Sequence, residues 1–282
     1  MKNPVADIVL TVVKAAAIIA AALAAAYTLS LGVVYIQARL QTLFGEPAYD
    51  IAYLIKIPVF FGLTFYANKY VNRVSSLDYL GDWRKIPRHL FAGFGIGAIL
   101  SLATLYIAAL HPDFNLPSLA ALREGAAISL ASLSLFTLIT GVWEELFFRG
   151  LIFVSLLVHF RNLHAAAIIS SVVFFLPHIF FGNPLTTWIW LTGVGFFGMT
   201  VAYLYHISGS IWLVAGLHAA WNFIGEISES GAEHYGLIVV PDYTGHREIL
   251  ESAALGLVIL TTIITAVFAA KQTPPGLSIK LR

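Results

Sequence analysis

Glu144, Glu145 and Arg149 put two adjacent carboxylates and a guanidinium into Gly141-Val142-Trp143-Glu144-Glu145-Leu146-Phe147-Phe148-Arg149-Gly150, within a run that is otherwise apolar from Ala126 to Phe160. An ionised side chain at bilayer depth costs at least ~2.5 kcal/mol, so such a cluster marks a functional site whose partners must be found. Glu145 and Arg149 are four apart and pair on one helical face, which leaves Glu144 without a local partner. Downstream, His178 closes Phe174-Phe175-Leu176-Pro177-His178, and His218 and Asn222 lie four apart in His218-Ala219-Ala220-Trp221-Asn222, again within apolar segments. A buried glutamate beside a histidine can take a proton from water as a general base. Hydrolysis also needs donors aimed at the oxyanion, each worth ~3 kcal/mol, and His218 and Asn222 on one face supply two.

Each group also has a structural account: an ion-pair knot for the charges, packing histidines, and an asparagine as glue between helices. The concurrence of polar groups in three separate apolar helices favours chemistry. Glu144, His178 and His218 would suffice in number for a three-ligand zinc site. The HExxH arrangement is absent, however, and no further carboxylate in these motifs is left to act as base, so neither metal nor cofactor is expected.

The elements that carry these residues are read from hydropathy. Apolar runs predict spans over 15–36, 51–67 (with Lys56 near enough to its start to snorkel), 89–110, 126–160, 164–181, 185–205, 211–226 and 249–270. The fourth run would be about 52 Å long at ~1.5 Å per residue, so it must tilt, break near Gly150, or project beyond the hydrocarbon. Glu144 and His178 each lie 17 residues from Arg161, so an antiparallel hairpin turning there brings them to equal depth. Gly93 and Gly97 form a GxxxG pair, a spacing that arises by chance as often as for close helix contact. His89, His111, His159, His164, His206, His234 and His246 fall at segment ends or in loops and are read as interfacial.

With 59% hydrophobic and 11% charged residues among 282, the composition is that of a polytopic membrane protein. The expected fold is all-α, one membrane domain over 1–282 with about eight transmembrane helices and a catalytic core over about 126–226. The lack of cysteine excludes disulfides and thiol catalysis, and the net charge of +1 gives no reason to expect nucleic acid. Eight spans place both termini, the basic loop 68–88 and Arg161 on one side, which then holds eleven Lys and Arg against Arg39, Arg123 and Arg247 opposite. That bias predicts cytoplasmic termini.

In order and spacing, Glu144 to Arg149 (EExxxR), Phe174 to His178 (FxxxH) and His218 to Asn222 (HxxxN) resemble the motifs of the CPBP family of intramembrane glutamic proteases. That family includes the type II CAAX prenyl endopeptidases and bacterial relatives linked to bacteriocin processing or immunity. The resemblance covers about 130–223. It implies Glu144 and His178 activating water, His218 and Asn222 forming the oxyanion site, and Glu145 with Arg149 shaping the site. It also implies a prenylated or hydrophobic peptide as substrate and partner besides the bilayer, in the cell membrane of a prokaryote or the endoplasmic reticulum of a eukaryote. The rival from another class is a non-catalytic immunity or transporter-like protein that uses the buried charges for a partner or for protons. One tension stands. Alternating spans put the motif ends on the side poor in Lys and Arg, whereas a CAAX protease meets its substrate at the cytosol; a non-simple topology, a cavity opening the other way, or a different substrate would each resolve it.

Overall fold

The structure is a computed structural model, and it describes residues 4–44, 54–74, 77–114, 118–119, 126–181, 187–229, 238–239 and 243–272. Helix α1 is Pro4–Phe44 and α2 is Lys56–Tyr66, continued by a π turn over Ala67–Val71. Helix α3 is Ile86–Ala108. Helix α4 covers 126–160 as α (Ala126–Glu145), π (Leu146–Phe153) and α again (Val154–Phe160). Then come α5 (Leu163–Phe181), α6 (Trp188–Ser208), α7 (Ile211–Glu229) and α8 (Tyr243–Lys271). The protein is all-α and polytopic. Its described strands are two residues each, pairing Ser118 with Val239 and Leu119 with Ile238.

Each expected span is met by a helix, though residues 51–53 and 185–186, where the second and sixth were to begin, lie outside the described residues, as does His234. Four helical stretches are long and apolar enough to cross a membrane: Val12–Ile36, Leu77–Ala108, Trp188–Ser208 and Arg247–Lys271. Shorter apolar stretches are Leu163–Ile179 and Ile211–Ile227. A short helix carrying polar residues fits a position inside the bundle rather than against lipid.

The long fourth run does not break at Gly150. It stays helical and widens into eight residues of π-helix beginning directly after Glu145. Such π segments interrupt α-helices mostly at functional sites. Two carbonyls of the widened stretch accept bonds from buried side chains of α2 and its π turn: Thr64 Oγ1 donates to Leu146 O at 3.0 Å and Asn68 Nδ2 to Gly150 O at 2.8 Å. Asn72 Nδ2 in turn donates to Asn68 Oδ1 at 2.8 Å and to Ser155 Oγ at 2.7 Å, tying α2 to both ends of the π stretch.

The chain leaves α4 through Arg161, which adopts the left-handed conformation at φ 51°, and Asn162 Oδ1 accepts from Ala165 N at 3.0 Å to start α5. The hairpin register is visible in the rings. Phe148 and Phe174, each 13 residues from Arg161, stand edge to face with centroids 4.9 Å apart.

Glycines bring the backbone of α3 against that of α7. A Cβ on Gly93 would lie 1.9 Å from Leu213 O, one on Gly97 2.3 Å from Leu217 O, and one on Gly216 2.2 Å from Leu90 O. The Gly93/Gly97 pair is therefore a contact surface, with α4 approaching the other side of α7 where a Cβ on Gly141 would meet Ala215 O at 2.7 Å. Helix α8 is joined to α6 by threonines: Thr262 Oγ1 donates to Phe196 O at 3.0 Å and lies 2.7 Å from Thr200 Oγ1.

Candidate active site

Arg149 comes off the π stretch into the protein interior, where Nη1 donates to Glu145 Oε1 at 2.9 Å and Nη2 to Gly198 O at 3.0 Å. Its guanidinium lies over the Phe174 ring at 4.6 Å. Glu145 and Arg149 are 0% and 1% exposed, so the expected pair on one helical face exists and is sealed from water. The same Glu145 Oε1 stands 2.7 Å from His218 Nδ1 on α7.

The partner missing from the helix of Glu144 is supplied from α7. His218 Nε2 lies 3.7 Å from Glu144 Oε2, so one imidazole spans the two adjacent carboxylates. A carboxylate only accepts, so the contact to Glu145 makes Nδ1 the donating nitrogen. Glu144 keeps 15% of its side chain exposed, which Glu145 does not.

His178 is fixed from its own helix. Its Nδ1 lies 2.9 Å from Phe174 O, and because a carbonyl only accepts, Nδ1 carries the hydrogen. In the neutral ring Nε2 is then a free acceptor. The imidazole packs between Phe174, at 4.9 Å, and Trp190, at 5.7 Å. Pro177, inside α5, cannot donate to the carbonyl four residues back, so this end of the helix is locally loosened.

These groups meet at a cavity of about 180 Å³ whose wall includes His178, His218, Asn222, Trp190 and Trp221. It lies at the ends of α3, α5 and α7 and the starts of α6 and α8, with Leu250 and Glu251 from α8 on its wall. Glu144 is not among the residues of that wall; its Oε2 lies 3.7 Å from His218 Nε2, and it is near enough for its charge to act on His178 and Arg149. The arrangement thus brings Glu144, Glu145, Arg149, His178 and His218 into one cluster and sets Asn222 one turn beyond His218 on the same cavity. Among the described residues, no group of three or more His, Asp or Glu side chains is arranged to hold a metal ion.

Two sequence expectations change. Lys56 does not snorkel: it is 6% exposed, with Nζ 4.6 Å from the centroid of the Trp143 ring and in the field of Glu144. The aromatic face and the carboxylate hold the ammonium inside, and a lysine within an apolar span was the available signal. His206 is buried rather than interfacial. His89 and His164 make helix-to-helix contacts, with Ser210 Oγ at 2.7 Å and Tyr203 Oη at 2.9 Å, and His111 is exposed.

Residues 126–224 match the model of a family described as type II CAAX prenyl endopeptidase Rce1-like. Over that stretch the chain is similar to this CAAX-type membrane protease family. The Rce1-like stretch is 99 of 282 residues; it contains Glu144, Glu145, Arg149, His178, His218 and Asn222, and it leaves α1, α2, α3 and α8 outside. No curated protein and no solved structure matches the chain.

Proposed function

We propose that the protein is an intramembrane endopeptidase that hydrolyses a peptide bond near the C-terminus of a prenylated or otherwise hydrophobic peptide, using water activated by Glu144 and His178. The observation that carries this reading is the bridging imidazole: His218 spans Glu144 and Glu145 at 3.7 and 2.7 Å on the wall of a cavity that also holds His178 and Asn222. A structural ion pair would need Glu145 and Arg149 alone.

In this mechanism His178 Nε2 accepts one hydrogen of the water and Glu144 takes the proton as the oxygen attacks the scissile carbonyl. The developing oxyanion is met by the Asn222 amide and by His218. Because Nδ1 of His218 already donates to Glu145, Nε2 can donate only when the ring carries both protons. His218 as an oxyanion donor is therefore an imidazolium, with a carboxylate on each side to balance it. Glu144 then returns its proton to the leaving amine, and the two products separate without a covalent enzyme intermediate.

The size of the cavity bears on the substrate. Ligand pockets are typically ~300–1,000 Å³, so about 180 Å³ accommodates the residues around the scissile bond and not a long lipid chain as well. The apolar part of the substrate would lie along helix surfaces that face lipid. The cavity sits at the helix ends on the side that alternating spans make poor in Lys and Arg, so an opening there favours a substrate presented from that side.

The deciding experiment compares cleavage of a farnesylated peptide ending in a CAAX sequence with that of its unprenylated counterpart by the purified protein. Cleavage of the prenylated form alone supports the CAAX substrate, and cleavage of both supports a general hydrophobic-peptide protease. Cleavage of neither withdraws this substrate and leaves the protease mechanism to be tested on other hydrophobic peptides.

A further inference from the structure

Packed against α7 at the cavity stands α3, a helix outside the family match, and two of its polar side chains, Ser101 and Thr104, are on the cavity wall. Thr104 Oγ1 donates within its own helix, to Leu100 O at 3.1 Å. Ser101 differs. The residue is 6% exposed and its Oγ has no hydrogen-bond partner. A helical serine commonly bonds back to the carbonyl four residues earlier, as Ser134 does to Leu130 O at 2.7 Å. A buried hydroxyl left unbonded is a net cost, and it needs an explanation in a native fold. On the wall of a cavity, its partner is whatever fills the cavity, solvent in the free protein and the substrate once bound.

The register of α3 on α7 says which part of a ligand that would be. The helices run in the same direction: His89 Nδ1 bonds Ser210 Oγ, Gly93 abuts Leu213 and Leu217, and Gly97 abuts Leu217 and Ala220. The offset is 121 residues at His89 with Ser210 and 123 at Gly97 with Ala220. The same offsets set Ser101 level with Asn222 to Ile224, both of which are also on the cavity wall.

We propose that Ser101 is a substrate-binding residue whose hydroxyl hydrogen-bonds the main chain of the bound peptide beside the scissile bond, level with Asn222. This rests on the peptidase reading above. A hydroxyl both donates and accepts, so it can meet either the N–H or the C=O that any peptide offers, whatever its side chains. The bond is made in the bound substrate and persists in the transition state, so it contributes uniform binding and registers in KM rather than in kcat.

The test uses full-length protein and the farnesylated CAAX-ending peptide as probe. Affinity is read on the Glu144→Gln background and kinetics on the active protein. Ser101→Ala is expected to weaken peptide binding about fivefold to tenfold and to raise KM by a similar factor, with kcat changed less than twofold. Ser101→Thr, which keeps the hydroxyl, is expected to recover most of both. The thermal midpoint of unliganded Ser101→Ala should equal or exceed that of the wild type, since no bond is lost. Unchanged affinity and KM would overturn the proposal. So would a midpoint several degrees lower, which would show a hydroxyl already bonded within the fold, or a fall confined to kcat. Failure of the Glu144→Gln protein with Ser101 intact to bind the probe would instead be the failure of the peptidase reading, and the role of Ser101 would go with it.

Discussion

His218 Nδ1 lies 2.7 Å from Glu145 Oε1 while its Nε2 lies 3.7 Å from Glu144 Oε2, so a single ring from α7 separates two carboxylates that are neighbours on α4. In the proposed mechanism the two glutamates therefore have different work. Glu145 is sealed between Arg149 and His218 and orients both; Glu144, partly exposed, is left with the capacity to accept a proton.

Glu144→Gln keeps the size of the side chain and removes its basicity. Peptide cleavage should fall at least a thousandfold, within the ~10²–10⁴ range of general-base catalysis, while the thermal midpoint stays within a few degrees of wild type. Wild-type turnover by this variant would sink the peptidase assignment.

Asn222→Ala removes the donor proposed to act on the oxyanion. Turnover should drop roughly a hundredfold with peptide affinity nearly unchanged. His218→Ala should show the same kinetic loss together with a lower thermal midpoint, because Glu145 also loses the contact at 2.7 Å. Equal midpoints for the two alanine variants would contradict the bridging geometry.

Arg149→Lys retains the charge but not the fork. The guanidinium serves Glu145, Gly198 O and the Phe174 face at once, and an ammonium cannot reach all three. We expect a variant destabilised and inactive, although lysine is nominally conservative. Arg149→Met should be worse, since removing one partner of a buried pair costs ~3–5 kcal/mol. Thermal unfolding in detergent reads the order of the three proteins directly, and a Lys variant as stable as wild type would show that charge alone suffices.

Asn68→Leu and Thr64→Val take bonds from the π stretch without touching any motif residue. Each leaves a buried carbonyl with one fewer donor, at ~1–3 kcal/mol. Cleavage should decline with the loss of stability, because the widened turn sets the direction of Arg149. Activity unaffected in both variants would mean that α4 holds this shape on its own.

How much of this could be read from residues alone depends on the range over which a signal acts. The Glu145–Arg149 pair follows from spacing on one helix, and the equal depth of α4 and α5 follows from counting outward from Arg161, as the Phe148–Phe174 contact shows. Hydropathy located the helices. The π stretch left no local mark: its sequence, Leu146 to Phe153, is as apolar as its flanks, and the donors that meet its carbonyls come from 82 residues away. Lys56 was visible as a charge in a span, but its inward direction depends on Trp143 and Glu144, which packing alone brings near. The bridging position of His218 was likewise out of reach, because it depends on how α7 is rotated against α4.

The glycine contacts between α3 and α7 bear on what the smallest working form of this protein is. Residues 126–224 carry every motif side chain, yet α7 in isolation would present to lipid the bare backbone at Gly216 that Leu90 now covers, and the cavity would lack a wall. A fragment cut to the family boundaries would therefore be chemically complete and mechanically open. Under the peptidase reading, activity from such a piece should return only when a second polypeptide carrying α2 and α3 is supplied in trans, which makes the protein a candidate for fragment complementation rather than for truncation.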